Sequence, residues 1–236
     1  MSAWEVKIIT GYPDFFPGPL SQSLIGKALN DKIWSLEVIN LHDFANDDRG
    51  SIDDSPFGGG PGMIIKPDVA ENAIKKSLEN METELPLVYM TPVGRPLVQK
   101  TLKNFSNGPG IRILCGRFEG VDERVLDAYN INRISLGDFV LSGGEVAAIV
   151  LVEGCVRLLP KVLGESGSLS VESFNNNLLE YPQYTRPEVW IDGNNKKHKV
   201  PEILLSGHHE KINKWREKKS KEITKKLRPD LLKKKI

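Results

Sequence analysis

The chain has 236 residues, of which 39% are hydrophobic and 27% charged, and a formal net charge of +1 at pH 7. That balance suits one large packed domain or two unequal ones. The longest apolar run, residues 146–152, is far too short to span a bilayer, and the first ten residues, MSAWEVKIIT, lack a basic stretch followed by a long apolar one; the expectation is a cytoplasmic protein with no membrane partner.

Short β-rich runs alternate with helix-like runs along the first two thirds. VKIIT (6–10), LEVINL (36–41), LPLVYM (85–90), IRILCG (111–116) and INRISLG (131–137) read as strands, and helical patterns fall near 21–33, 67–80, 95–106 and 122–130. This rhythm predicts an α/β fold with a mainly parallel sheet. Ser142 and Glu145 stand at the spacing of a capping box before an apolar run, which predicts a last helix over about 143–160. Its first turn would offer backbone N–H groups at a strand-end crevice, where α/β proteins bind ligands. Cys115 and Cys155 lie far apart with no CxxC, against a zinc ribbon or a disulfide framework, and read as buried small apolar residues.

Between the second strand and the second helix, residues 55–63 read SPFGGGPGM directly after Asp53 and Asp54. Such a stretch suits close approach by another molecule, or else is a simple surface turn. It is neither a P-loop, which ends in Gly-Lys-Ser/Thr, nor a dinucleotide fingerprint, which sits between a strand and a helix. Three further glycine-containing segments follow predicted strand ends: YMTPVGR (89–95), LCGRFEGVDER (114–124) and SLGDFVLSGGE (135–145). Singly each is an ordinary turn signal. Gathered at one sheet edge, they would surround a flat heterocycle with backbone donors and acceptors, with Glu119 facing a cationic group, which points to a nucleoside cofactor.

After residue 163 the composition turns polar and Gly/Ser-rich, GESGSLSVESFNNN, a linker, and a basic segment follows. Residues 193–236 carry 15 Lys plus Arg against 5 Asp plus Glu, a net +10, which leaves −9 for residues 1–192. A basic appendage on a mildly acidic body is the footprint of polyanion binding, although a solvated helix is also compatible with it. Within that segment Ile212, Trp215, Ile223 and Leu227 form a sparse helical stripe, with Glu217–Lys221 and Glu222–Lys226 at ion-pair spacing.

DDSPFGGGPGM, CGRFEGVDERV, SLGDFVLSGGE, EYPQYTRPEVW and VPEILLSGHHE, in that order and nearly spanning the chain, resemble the signature stretches of the bacterial tRNA (guanine-N1)-methyltransferases, the TrmD family. The resemblance implies a SPOUT-type methyltransferase domain over residues 1–163 with a trefoil-knotted cofactor site, an interdomain linker over 164–177 and a small, mostly helical, basic tRNA-binding domain over 178–236. It also implies a homodimer that methylates N1 of guanosine 37, immediately 3′ of the anticodon, using S-adenosylmethionine. Carried over by position, the cofactor residues are Tyr89, Met90, Thr91, Pro92, Gly116, Arg117, Phe118, Glu119, Gly120, Ser135, Leu136, Gly137, Phe139, Leu141, Gly143 and Gly144.

Methyl transfer to guanine N1 needs a base for the N1 proton and a donor for the charge that moves onto O6. Arg157, in EGCVRLLP, matches the family's catalytic arginine. The family places its base, an aspartate, directly before a Ser-Phe pair, and this chain has Glu172 there. Glutamate keeps the carboxylate and lengthens its reach; Glu165 and Glu180 are the neighbouring acids.

The resemblance assigns the glycine-rich loop to RNA, with Asp54 (or Asp53) accepting from a guanine edge and Gly59 and Gly62 letting the nucleotide approach. Where the family more often has Arg-Pro-Tyr, this chain has Ser55, Pro56 and Phe57. Arg186 in YTRP and His209 would contact the anticodon stem-loop. The family reaction is assisted by magnesium, Mg2+, yet no residue pattern locates an ion: the paired acids lack ligand-rich spacing, and His208 and His209 have no third ligand in view. Two other readings stay open, a SPOUT methyltransferase acting on another RNA and a non-catalytic RNA-binding protein. The first would not need Glu172 or EYPQYTRP, and the second leaves the three cofactor loops without a purpose.

Overall fold

The structure is a computed structural model, and it describes residues 2–79, 81–163 and 172–233. The chain forms two compact units, Met1–Gly164 and Glu165–Ile236. Among the described residues, no helix is long and apolar enough to cross a membrane.

The first unit is built on a five-stranded, all-parallel sheet. Its strands are β1 (Trp4–Thr10), β2 (Trp34–Asn40), β5 (Leu87–Pro96), β6 (Gly110–Cys115) and β7 (Asn132–Ser135), in the order β2-β1-β6-β5-β7. Helices α1 (Ser23–Asn30), α2 (Pro67–Lys76), α3 (Gln99–Ser106), α4 (Glu123–Ala128) and α5 (Glu145–Val156) connect or follow them. Successive strand residues point to opposite faces, and here both faces are buried. Ile8, Val88, Met90, Ile111, Ile113 and Cys115 pack with α5 residues such as Ala148, Leu151 and Val152. Ile9, Leu87, Tyr89 and Leu114 pack with Val69, Ala73 and Ile74 of α2 and Val125 of α4. Two-sided burial is why the strands read as continuous apolar runs rather than alternating ones. Truncating one such side chain to alanine costs about 2–5 kcal/mol.

Two cations are buried in this sheet and both find oxygen. Lys7 Nζ donates to the carbonyl of Glu79 at 2.8 Å and pairs with Glu37 at 3.1 Å. Arg112 donates twice to the carbonyl of Leu85 and once to Ser77 Oγ. Both partners Ser77 and Glu79 lie just beyond α2, whose last turn concentrates carbonyl charge, so these side chains tie the helix end to the strands.

Several element ends differ from the sequence pattern. β5 runs on to Pro96, so the helix expected from 95 begins only at Gln99. The strand survives because Met90 and Arg95 both pair with Ile134, and residues 91–94 are extruded between them. This irregularity is a bulge of four residues, and it needs Gly94, where a Cβ would collide with the backbone of Ile134. The expected capping box does not form: the N-cap of α5 is Gly144, without a side-chain cap, and Glu145 is turned elsewhere.

The second unit contains a hairpin of β8 (Val189–Ile191) and β9 (Lys197–Lys199), a short α6 (Glu202–Leu205) and a long α7 (His209–Leu227). In α7 the buried positions are Ile212, Ser220 and Thr224, whereas Leu227, expected on the stripe, is exposed. Glu217 pairs with Lys221 at 2.7 Å as spaced, but Glu222 turns to Lys219 and Lys218 instead of Lys226. A lysine one turn earlier offers the same charge, so the choice between partners costs little.

Both thiols lie in the core. Burial pushes Cys155 up to about 12, and burial together with the Glu145 carboxylate raises Cys115 well above its ordinary value. Since the thiolate is the reactive form, the folded protein is expected to resist a thiol-specific disulfide reagent at pH 8 and to react at both sites once denatured. Rapid stoichiometric labelling of the native chain would contradict this burial.

Candidate functional site

In a parallel sheet every strand points its C-terminal end the same way, so the segments that leave β5, β6 and β7 emerge at one edge. There they enclose a cavity of about 280 Å³, close to the low end, roughly 300 Å³, of small-molecule sites. Its walls are Tyr89–Val93 from the bulge of β5, Gly116–Gly120 after β6, and Ile134–Leu136 with Phe139–Gly144 after β7, closed by Ala147 in the first turn of α5. All the cofactor residues expected from the sequence line it except Gly137. That glycine instead forms a tight turn, its N–H bonded to Ser135 Oγ and its carbonyl accepting from the same hydroxyl. Val93, Ile134, Val140, Ser142 and Ala147 also line the cavity, beyond the cofactor residues that the resemblance implies. Val93, Val140 and Ser142 stand inside the quoted motifs, so the signal was present there, whereas Ile134 and Ala147 read as core.

One ion pair organises the wall. Arg117 Nε lies 2.9 Å from Glu145 Oε2, with side-chain exposures of 15% and 1%. The other oxygen of Glu145 accepts from Thr10 Oγ1 at 2.8 Å, and Thr10 in turn accepts from the N–H of Tyr12 at 3.0 Å. The guanidinium also stacks over the Tyr12 ring, 4.2 Å from its centroid, with Phe15 at 5.4 Å. Beside it, the N–H of Gly144 donates to the carbonyl of Gly116 at 2.9 Å. Three chain segments far apart in sequence thus meet on one carboxylate. Thr10, Tyr12 and Phe15 carried no motif that would have revealed this.

With Arg117 neutralised, the acid left lining the cavity is Glu119, which makes no ion pair among the described residues. A single carboxylate among backbone groups, Phe139, Leu136 and Leu141 fits a ligand with a flat heterocycle and a positive charge, as in S-adenosylmethionine. Among the described residues no group of three or more His, Cys, Asp or Glu could hold a metal ion.

The glycine-rich loop is the turn of a small hairpin, β3 (Asp53–Asp54) against β4 (Ile64–Ile65). Asp54 accepts from the N–H of Ser55 at 2.7 Å. The end of the loop is stitched to the cavity wall: Glu119 N–H donates to the carbonyl of Met63 at 2.9 Å and Ile65 N–H to that of Gly120 at 2.9 Å. Gly62 is required here, because its φ is +88° and a Cβ would collide with the Glu119 carboxylate. Gly59 is exposed with nothing near it.

Arg157 caps the C-terminal end of α5, half-buried, its N–H bonded to the carbonyl of Glu153. In the second unit, Glu172 is half-buried and lines a cavity of about 350 Å³ with Tyr181, Asn213, Arg216 and Ser220 among others. The segment behind it is docked on α7: Leu179 N–H donates to Thr224 Oγ1 at 2.8 Å, and Arg216 lies 4.9 Å from the Tyr181 ring. Glu180 accepts from Gln183 at 2.6 Å. Glu165 and linker residues 164–171 lie outside the described residues. Arg186 is exposed, and His209, also exposed, opens α7.

A family model described as tRNA (Guanine-1)-methyltransferase TrmD matches residues 4–234. Proteins named tRNA (guanine-N(1)-)-methyltransferase are similar over nearly the whole length. That of Wolbachia pipientis is 50% identical over 98% of this chain and 96% of its own. Those of Pelagibacter ubique, at 50% over 97% and 96%, and Ruegeria pomeroyi, at 48% over 97% and 92%, are comparable.

The Glu145 ion pair should be measurable on its own. Glu145→Gln keeps an oxygen for Thr10 but leaves the guanidinium without its counter-charge, and stranding one partner of a buried pair costs about 3 kcal/mol. The expected outcome is a Tm lower by roughly 6–12 °C. A calorimetric Tm within 2 °C of the parent would show that the pair contributes nothing.

Proposed function

Because the chain belongs to the tRNA (guanine-1)-methyltransferase TrmD family, we propose that its target is guanosine 37, immediately 3′ of the anticodon, and that its reaction is carried by Glu172 and Arg157. The chain is an S-adenosylmethionine-dependent tRNA (guanine-N1)-methyltransferase. The observation that carries the reading is the cavity at the ends of β5, β6 and β7, where the cofactor residues implied by the family gather on three loops.

S-adenosylmethionine supplies a methyl group on a positively charged sulfur. The residues lining the cavity would hold it by backbone groups against the adenine edge, apolar contact from Leu136, Phe139 and Leu141, and the carboxylate of Glu119 toward its positive end. In this reading Glu172 takes the N1 proton of the guanine, and the guanidinium of Arg157 donates to O6, where negative charge collects as N1 is deprotonated. Asp54 and the open loop around Gly59 and Gly62 receive the nucleotide, and Arg186, His209 and the basic second unit hold the anticodon stem-loop. The loops of the cavity form the trefoil knot typical of the SPOUT class. Residues 1–163 are the methyltransferase domain, 164–177 the linker and 178–236 the tRNA-binding domain, in a cytoplasmic enzyme. Magnesium assistance belongs to the same reading, with no residue assigned to hold the ion.

A homodimer is part of this proposal, and α5 supports it. Between Glu145 and Glu153, the latter exposed, α5 is apolar on every side, and such a stretch is normally buried on every side. Here Ala148, Leu151, Val152 and Cys155 are buried while Val146 and Val150 are 48% and 45% exposed. The remaining apolar stripe suits a second copy of the chain.

Two experiments test this function. In single-turnover transfer of labelled methyl to a tRNA with guanosine at 37, Glu172→Gln should slow the chemical step about 10²–10⁴-fold, and Glu172→Asp, which restores the family residue, should retain most of the rate. Equal rates for Glu172→Gln and the parent would remove Glu172 as the base. By sedimentation, Val150→Lys should convert a dimeric parent to monomers without loss of secondary structure; a variant that stays dimeric would place the interface elsewhere.

A further inference from the structure

Phe57 is 100% exposed, the most exposed large apolar side chain among the described residues. It stands in the glycine-rich turn between β3 and β4, followed by Gly58, Gly59 and Gly60. All three have φ in the left-handed region, and a Cβ on any of them would have nothing within 4 Å. The phenyl ring is thus held clear of its own protein on a stem without side chains. The far end of the same turn is fixed: Gly62 presses on Glu119, and the N–H of Glu119 donates to the carbonyl of Met63, so the ring projects from a support that shares its residues with the cofactor cavity. Phe57 itself does not line that cavity.

We propose that Phe57 is a stacking platform for an unpaired nucleobase of the tRNA adjacent to the one that enters the cavity, and so a substrate-positioning residue. The inference rests on the tRNA methyltransferase reading above. The occupant follows from chemistry and placement together. An aromatic face held in water, on a hairpin whose far end is hydrogen-bonded to the cavity wall, offers the contact that every unpaired base can use, since each has a π-face. Phosphates are poor candidates for the same spot, because the hairpin stem supplies Asp53 and Asp54 and no Lys or Arg lies within residues 51–65. A neutral ring beside two carboxylates selects bases and their N–H donors over the backbone. Placing the neighbouring base would fix the direction from which the target guanine enters, which is how a contact outside the cavity acts on the reaction.

The test compares Phe57→Leu and Phe57→Trp with the parent, using a tRNA carrying the fluorescent base 2-aminopurine next to the target guanosine. Stacking on an aromatic ring quenches this fluorophore. The expected result is quenching by the parent and by Phe57→Trp, none by Phe57→Leu, and a KM for tRNA raised about 5- to 100-fold in Phe57→Leu. S-adenosylmethionine affinity measured separately reports on the cavity and should stay within twofold of the parent. Equal quenching and KM in Phe57→Leu would overturn the proposal. So would conversion of a dimeric parent to monomers by Phe57→Leu, which would make a second copy of the chain the occupant. A parent that fails to methylate or bind tRNA would instead sink the functional reading on which the inference rests.

Discussion

Glu145 is the constraint on which the cavity at the ends of β5, β6 and β7 depends. Its carboxylate is buried to 1% side-chain exposure at the first position of α5, and each of its oxygens has one partner, Arg117 from the loop after β6 and Thr10 from the end of β1. An isolated ionised carboxylate at that depth would be costly, so the position is tenable only while the guanidinium and the hydroxyl both stay in place. The requirement runs the other way as well. Arg117 leaves its pairing only by abandoning Glu145, so the loop that forms one cavity wall cannot drift from the helix that forms another. The aromatic pair Tyr12 and Phe15 covers the guanidinium and excludes water from it, which strengthens the attraction.

The arrangement separates binding from chemistry by charge. Arg117, although it lines the cavity, is spoken for by Glu145, and the carboxylate of Glu119 is what remains to greet a cationic ligand. The second unit is of opposite character, lysine-rich along α7, with its acids largely consumed by i,i+3 and i,i+4 pairs such as Lys214–Glu210 and Lys221–Glu217. Such pairs contribute little to stability, yet they hold the acidic side chains along the helix and leave lysines such as Lys211 and Lys225 to the solvent. The segment carrying Glu172 is anchored to this basic unit by Thr224 and Arg216. The proposed base thus belongs to the same unit as the lysine-rich α7.

The α/β pattern was legible because burial on both faces of a parallel sheet writes itself into sequence as runs such as KIIT and IRILC. The loops that line the cavity were legible because glycine after a strand marks close packing of backbones. What sequence could not display is anything settled by contact between distant segments. TPVGR reads as a loop following a strand that ends at Met90, and only the second pairing with Ile134 shows that the strand resumes. Ser142 and Glu145 have capping-box spacing, but the Arg117 guanidinium is a stronger partner for a buried carboxylate than a backbone N–H, so the box loses its acid. Thr10 and Tyr12 look like an ordinary strand end, since their role exists only through a side chain more than a hundred positions away.

The bulge in β5 has a consequence for how this cavity varies. Met90 and Arg95 both meet Ile134, so the sheet reads the chain as though residues 91–94 were spliced out. A change in the length of that excursion alters one wall of the cavity and leaves the pairing of every strand as it was. The fold has in effect detached the dimensions of its ligand site from the lattice of its core, and a descendant sequence is free to reshape the first without renegotiating the second.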